Sequence, residues 1–530
     1  MALAKTKKKG ETSFVKQAAI LAAATLFVRF IGFLYRVPLT HLIGDEGNAL
    51  YNAGFQFYAF LLVLSSAGLP AAIAKMVSER VARKEYKNAH LIFRSAMVVA
   101  VTFGSIGSIL LWSMAGYFSV WFGYPGSVYA IRAVSPAVLL VAIMAVFRGY
   151  FQGMNNTVPT AVSQVVEQFF NAVAKIALAY IFLEQLEWAA AGATAGTGIG
   201  AFLGLLALLG IYKALSPRFV QRIRRDRSRK TEKSSDIIRE LVATAFPIII
   251  GTAIYSIANF IDMAMVSHRL NSTGLFTQSE IDVLYGQLTG KFVVLTTLPV
   301  AVSSALSIAS LPSIAGSTAK RDRKAVSSKI TKATRLSMLV AIPSAVGIGV
   351  LAEPILLLLF PSHPEGAILL QVGAVSVVFL SLVQVSTGAL QGIGKIMFPV
   401  AGALAGAVAK IPLNFVLIAI PEINVLGAVI STIVCYFFAM LINWGALKKY
   451  TKIKIDWMAL FIKPGFAAAM MGVTCFVSHY TIMLLISNNT VATIISILFG
   501  IFSYFLMLII LRGLAKEDVQ RVPILKNIVK

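Results

Sequence analysis

Ionised and amide side chains set inside long apolar runs are the residues of this chain best placed to do chemistry. Arg29 lies near the middle of the run 14–35, and Arg36 stands at its far end. Lys291 opens the run 291–316, Asn259 and Asp262 lie in 239–265, and Lys410 lies in 396–420. Gln164 and Glu167, followed by Gln168 and Lys175, lie in 158–183. A charged group at the centre of a bilayer costs about 2.5–3.5 kcal/mol on insertion scales, so such groups turn toward a bundle interior or a wet cavity. Arg29, Arg36 and Lys291 are all cations, and arginine reads a phosphate through its planar fork. A cavity lined by them suits an anion such as a pyrophosphate. Asp262, Asn259, Gln164, Glu167 and Lys410 are the candidates for further cavity contacts or for coupling to an ion or proton. Plainer roles stand beside these. Arg36 and Lys291 can snorkel to the interface. Glu167 and Lys175, about two turns apart on one face, can pair with neighbouring helices.

Other chemistry lacks its residues. "GALQGIGKI" has the wrong glycine spacing for a phosphate loop and no Ser or Thr after Lys395. There is no GxSxG and no HExxH, and the five histidines are scattered. Cys435 and Cys475 form no metal or redox spacing. No catalytic residue, metal site or cofactor is therefore expected, and the chain reads as a non-enzyme. A net charge of +25 raises nucleic acid as a partner. The placement of that charge, in short segments between apolar runs, points to anionic lipid instead.

The elements that carry these residues are membrane helices. The chain has 530 residues, 58% hydrophobic and 13% charged, with a mean hydropathy of +0.81. It contains fourteen apolar runs between residues 14 and 512, each long enough to cross a bilayer. The segments between them alternate in charge. "SERVARKEYK", "KRDRK" and "KKYTKIK" are basic, whereas the intervening set, such as "FGYPGS" and "PEIN", carries a single basic residue, Arg269. The positive-inside rule then places both termini in the cytoplasm, which requires an even number of crossings.

Two internal echoes divide the runs. "SSAGLPAAIA" (65–74) returns as "SIASLPSIAG" (307–316), with Pro70 and Pro312 242 residues apart. "GYFQGMNNTVP" (149–159) returns as "GALQGIGKIMFP" (388–399), with Gly149 and Gly388 239 residues apart. The repeating unit is six helices, so the halves are parallel repeats about an axis along the membrane normal. The expected fold is an all-α polytopic membrane protein with fourteen transmembrane helices. It has a cytoplasmic tail (1–13), a six-helix lobe (14–212), a basic cytoplasmic linker (213–238), a second six-helix lobe (239–447), two further helices (456–512) and a cytoplasmic tail (513–530). The recurring Gly149, Gly153 and Pro159, with Gly388, Gly392 and Pro399, read as structural joints, as do Pro70 and Pro312.

Several motifs resemble a known family. "SSAGLPAAIAKMVSE", "RGYFQGMNNTVPTAVSQVVEQ", "GDEGNALYNAGFQFY" and "TGALQGIGKIMFPVAGALAGAVAKIPLNF" resemble the multidrug/oligosaccharidyl-lipid/polysaccharide (MOP) exporter superfamily. Within it they resemble the stage V sporulation protein B and YtgP branch, close to the MurJ-type lipid II flippases. The resemblance covers about residues 14–512. It implies two six-helix lobes working by alternating access. It also implies a substrate, an undecaprenyl-pyrophosphate-linked glycan, moved outward across the bacterial cytoplasmic membrane. Drive would come from the membrane potential or an ion gradient, with the ion unnamed. By its "RxxG" context Arg29 matches a cavity arginine of the family, Arg36 follows one residue later than the MurJ pattern, and run 291–316 offers Lys291. The two C-terminal helices are expected to hold the lipid tail, and the protein to act as a monomer. A cation-coupled multidrug antiporter is the alternative within the superfamily, and a membrane glycosyltransferase lies further off.

Overall fold

The computed structural model describes residues 23–24, 27–63, 68–226, 232–453, 456–511 and 513. The tail 1–13, most of the tail 513–530 and part of the basic linker lie outside them. Among the described residues the regular structure is helical throughout. That is what a hydrocarbon solvent demands, because only a helix or a closed barrel satisfies every backbone N–H and C=O internally.

The long helices are α1 (Arg36–Leu62), α2 (Leu69–Ala82), α3 (Tyr86–Ser113), α4 (Val128–Gly153), α5 (Val158–Ile181), α6 (Leu186–Arg224) and α7 (Ser234–Ser272). They continue as α8 (Gln278–Gly286), α9 (Val293–Ala319), α10 (Arg323–Val350), α11 (Ser376–Gly392), α12 (Met397–Leu417), α13 (Leu426–Thr451), α14 (Lys463–Ile486) and α15 (Asn489–Ile510). Among the described residues nine helical spans are long and apolar enough to cross a membrane, and a bent pair, Ala367–Gly373 with Ser376–Gly392, makes ten. Three of the four other runs read from the sequence fall short for particular reasons. Runs 14–35 and 50–74 include residues outside the described set, and the second is divided between α1 and α2. Helix α5 carries Gln164, Glu167, Gln168, Asn171 and Lys175 on an otherwise apolar helix.

Two compact units emerge. The first comprises Met1–Gly290 with Asn414–Val425, the second Lys291–Leu413 with Leu426–Lys530. Compactness thus divides the chain after α8, and α7 packs with the first unit although it follows the basic linker. The first unit's core gathers Ile73, Met76, Ile92, Phe93, Phe147 and Phe151 from α2, α3 and α4 with Ile237 and Leu241 of α7. The second unit has one cluster around Ile314, Ile330, Leu390 and Leu447, and another around Leu351, Met471 and Tyr504.

The polar stretch "THLIGDEGN" is helical on both sides of a break at Gly44 (φ 64°, ψ −172°). Glycine tolerates the positive φ. The side chain of Asn48 spans the break, donating to Thr40 Oγ1 and to the Gly44 carbonyl at 2.9 Å each. A polar residue one turn on thus bridges the two helical segments.

Candidate functional site

The first unit brings part of the sequence-derived set together along α5 and the helical residues 27–34. Arg29 is exposed on that first segment. Among the described residues no hydrogen bond or ion pair engages its guanidinium. Gly32, one turn later on the same face, approaches α5 so closely that a Cβ there would meet Gln168 Nε2 at 3.4 Å. Gln164 and Asn171 flank Gln168 on α5, and each has a buried carbonyl oxygen without a partner among the described residues. Unpaired buried amides are costly unless water or a ligand meets them. Arg29 thus lies on the segment that meets α5 at Gln168, between Gln164 and Asn171.

At the other end of α5, Lys175 is 1% exposed. Its ammonium donates to Tyr51 Oη at 2.6 Å and to Tyr35 Oη at 3.3 Å. It also lies 4.9 Å from each of those ring centroids and 5.2 Å from that of Phe55. Half-buried Arg36 stands within electrostatic reach of the same two hydroxyls. The cage was hidden in the sequence because its partners are neutral. Its one local trace is Tyr51 and Phe55 one turn apart in "GNALYNAGFQFY". Replacing Lys175 with Met, which fills the same volume without charge, is expected to leave the melting temperature within a few degrees. Lys175→Ala, which leaves a hole, is expected to cost about 2–5 kcal/mol. Thermal unfolding in detergent distinguishes them, and equal melting of the two variants would show that the cage does not depend on packing.

Glu167 is engaged by a neighbour rather than free. Arg148 Nη2 reaches Glu167 Oε2 at 2.6 Å, and Arg148 Nε donates to Ser163 Oγ at 3.0 Å. The "RGYFQGMNNTVP" turn between α4 and α5 is thereby latched by its own first residue. Asn155 takes φ 58° at the tip, Asn156 Oδ1 accepts from Val158 N, and Pro159 occupies the first turn of α5, where its missing N–H costs nothing. Asp262 on α7 accepts from Asn414 Nδ2 at 2.9 Å, while Asn259 one turn earlier is exposed.

In the second unit Lys291 lies within a π-helical stretch, Gln287–Phe292, and is 1% exposed. It donates to the carbonyls of His363 at 2.6 Å and Glu365 at 3.0 Å, holding the loop before Ala367. Lys410 is also buried, on α12. The structure therefore gathers Arg29, Arg36, Gln164 and Glu167 around α5 and places Lys291 and Lys410 in the second unit, each in its own setting.

The joints take the same form in both repeats. A Cβ at Gly149 would meet the Pro70 carbonyl oxygen at 2.8 Å and Ile73 Cβ at 2.9 Å, and one at Gly153 would meet Val77 Cβ at 2.6 Å. A Cβ at Gly388 would run into Ser307, and one at Gly392 would meet Ile314 at 2.9 Å and the Leu311 carbonyl oxygen at 3.2 Å. In each repeat the glycines let the fourth helix lie against the backbone that carries the SxxxLP echo (Pro70 or Pro312). Pro399 sits in the first turn of α12, as Pro159 does in α5. On α14 and α15 an apolar groove of about 470 Å³ runs between Val473, Val477, Ile482 and Phe499.

Comparison with known proteins agrees with this geometry. The sequence pattern of the family described as "Polysaccharide biosynthesis protein" matches residues 14–318, and that of MatE matches 286–416. The lipid II flippase MurJ of Bacillus subtilis (strain 168) is 29% identical over 454 residues, covering 81% of this chain and 82% of that protein. The stage V sporulation protein B of the same organism is 26% identical over 529 residues, 98% of this chain and 99% of its own length. A solved structure of a lipid II flippase MurJ in an inward closed conformation superposes with a TM-score of 0.68 at 17% identity. It covers 93% of this chain and 99% of that one, so the fold is shared. This is a multi-pass membrane protein with the architecture of MOP-superfamily transporters. Because the matched pattern spans more than half its length, the chain belongs to the polysaccharide biosynthesis protein family.

Proposed function

We propose that the protein is a flippase. It carries an undecaprenyl-pyrophosphate-linked glycan precursor, lipid II or a related polysaccharide precursor, across the cytoplasmic membrane by alternating access, with both termini in the cytoplasm. The observation that carries this reading is Arg29: an exposed guanidinium, without a partner among the described residues, in an otherwise apolar membrane segment. A cation kept there at a cost of several kcal/mol fits an anionic headgroup, and the unpaired amides of Gln164 and Asn171 fit its sugar hydroxyls. The groove on α14 and α15 fits a polyprenyl tail. The family and the MurJ and sporulation-protein relatives support the same class of substrate.

Depletion of the protein is expected to accumulate lipid-linked precursor on the inner leaflet, read by labelling the precursor from outside. Hydrogen bonds to charged groups contribute about 1.5–3 kcal/mol, so re-expressed Arg29→Ala is expected to transport at least tenfold more slowly. Arg29→Lys should retain part of the activity. No accumulation on depletion would sink the flippase reading, and full rescue by Arg29→Ala would remove the arginine from it. Unchanged precursor with raised sensitivity to cationic drugs would favour a multidrug antiporter instead.

A further inference from the structure

Two basic turns and the end of a helix converge in the second unit. The turn between α9 and α10 brings Arg321 and Arg323, the turn between α11 and α12 brings Lys395, and the end of α13 brings Tyr450. They enclose a pocket of about 420 Å³. The Lys395 ammonium lies 4.6 Å from the Tyr450 ring centroid. The one carboxylate in the lining, Asp322, caps α10 by accepting from Ala325 N at 3.0 Å. Among the described residues no ion pair engages Arg321, Arg323 or Lys395.

The first repeat handles its matching turn differently. Arg80, 242 residues before Asp322, is met by Glu240 at 2.6 Å, Glu232 at 3.1 Å and Glu79 at 3.3 Å. Its hydrogen bonds to Glu240, and secondarily to Glu232, hold its pKa above the usual arginine value. Asp226 accepts from the backbone N–H of Lys87 at 2.7 Å. Asp226, Glu232 and Glu240 come from the segment around the linker that follows α6. The stretch from the last turn of α13 onward is "KKYTKIKID", whose single acid, Asp456, accepts from Ala459 N instead. The turn of the first repeat is therefore met by anions from the linker and the start of α7, while the matching turn of the second repeat keeps three exposed cations around an open pocket. Beyond Lys395 the chain exposes Ile396 and Met397, 56% and 69% accessible, so apolar surface continues from the pocket rim.

We propose that this pocket binds the phosphate of an anionic phospholipid on the leaflet facing the basic turns, with the acyl chains running over Ile396 and Met397. Basic pockets between membrane helices take such headgroups, and the apolar rim distinguishes a lipid from a free phosphate. The site is separate from the Arg29 segment and does not rest on the flippase reading.

The test uses the full-length protein in neutral detergent, with melting temperature followed against added phosphatidylglycerol, phosphatidylcholine or inorganic phosphate. Phosphatidylglycerol is expected to raise the melting temperature saturably, and the R321Q/R323Q/K395Q variant to need at least tenfold more of it. The variant R222Q/R224Q/R225Q, which removes as much charge elsewhere, is expected to respond as the unaltered protein does. An equal loss in both variants, or no response to phosphatidylglycerol, would overturn the site. A full response to inorganic phosphate would overturn its assignment to a lipid. Should the triple variant fail to fold, K395Q alone, at an exposed turn, is expected to shift the midpoint in the same direction, and no shift would count against the proposal.

Discussion

Gly149→Val is expected to abolish accumulation of folded protein in the membrane, and Gly392→Val to do the same through the second repeat. The added Cβ at Gly149 would lie 2.8 Å from the Pro70 carbonyl oxygen and 3.0 Å from Pro70 Cα. Those are backbone atoms at the start of α2, and no side-chain rotation relieves the clash. At Gly392 the added Cβ would meet Ile314 at 2.9 Å and the Leu311 carbonyl oxygen at 3.2 Å. Overpacking a well-filled helix contact costs about 1–3 kcal/mol and more when backbone must move. The second methyl of valine places these substitutions at or above the upper end. In a membrane such close contacts matter more, because helices associate largely through packing. Gly198 supplies the control: nothing lies within 4 Å of a Cβ there, so Gly198→Ala should express and melt like the unaltered protein. Yield of monodisperse protein and its melting temperature are the readouts. Normal yield of Gly149→Val would show that α2 and α4 separate without loss, contrary to the joint role.

Arg148→Ala carries the second large effect. It removes the 2.6 Å partner of Glu167 and the 3.0 Å donor to Ser163, and leaves a carboxylate whose side chain is 21% accessible. Breaking one side of a buried pair typically costs about 3–5 kcal/mol, because the charge left behind stays desolvated. Neutralising both partners removes that cost. Arg148→Met combined with Glu167→Gln is therefore expected to recover most of the lost melting temperature, with a strongly non-additive double-mutant cycle. Additive losses would mean that the two side chains act separately. The recovered double variant then supports a transport measurement on Glu167 free of the folding defect.

The helical class, the alternating loop charge and the six-helix repeat were legible in the sequence because they are set by local composition. A membrane span needs only enough consecutive apolar residues, and a repeated turn leaves its Gly and Pro behind. The same logic found the joints: Gly149, Gly153, Gly388 and Gly392 recur because backbone approach admits no side chain. Arg29 stands out in the sequence because an ionised group within an apolar run is conspicuous by itself. Which partner each buried charge has was not legible. Lys291 reads as a cavity cation, yet two carbonyls more than seventy residues away hold its ammonium. Lys175 is held by tyrosine hydroxyls on another helix, and Glu167 is claimed by Arg148. Sequence alone therefore determined a helical membrane protein with charges set inside its apolar runs. Only the tertiary structure decided which charges are satisfied and which stay open. The reason is that desolvation is a property of the residue and its segment, whereas its compensation depends on side chains that folding brings from elsewhere.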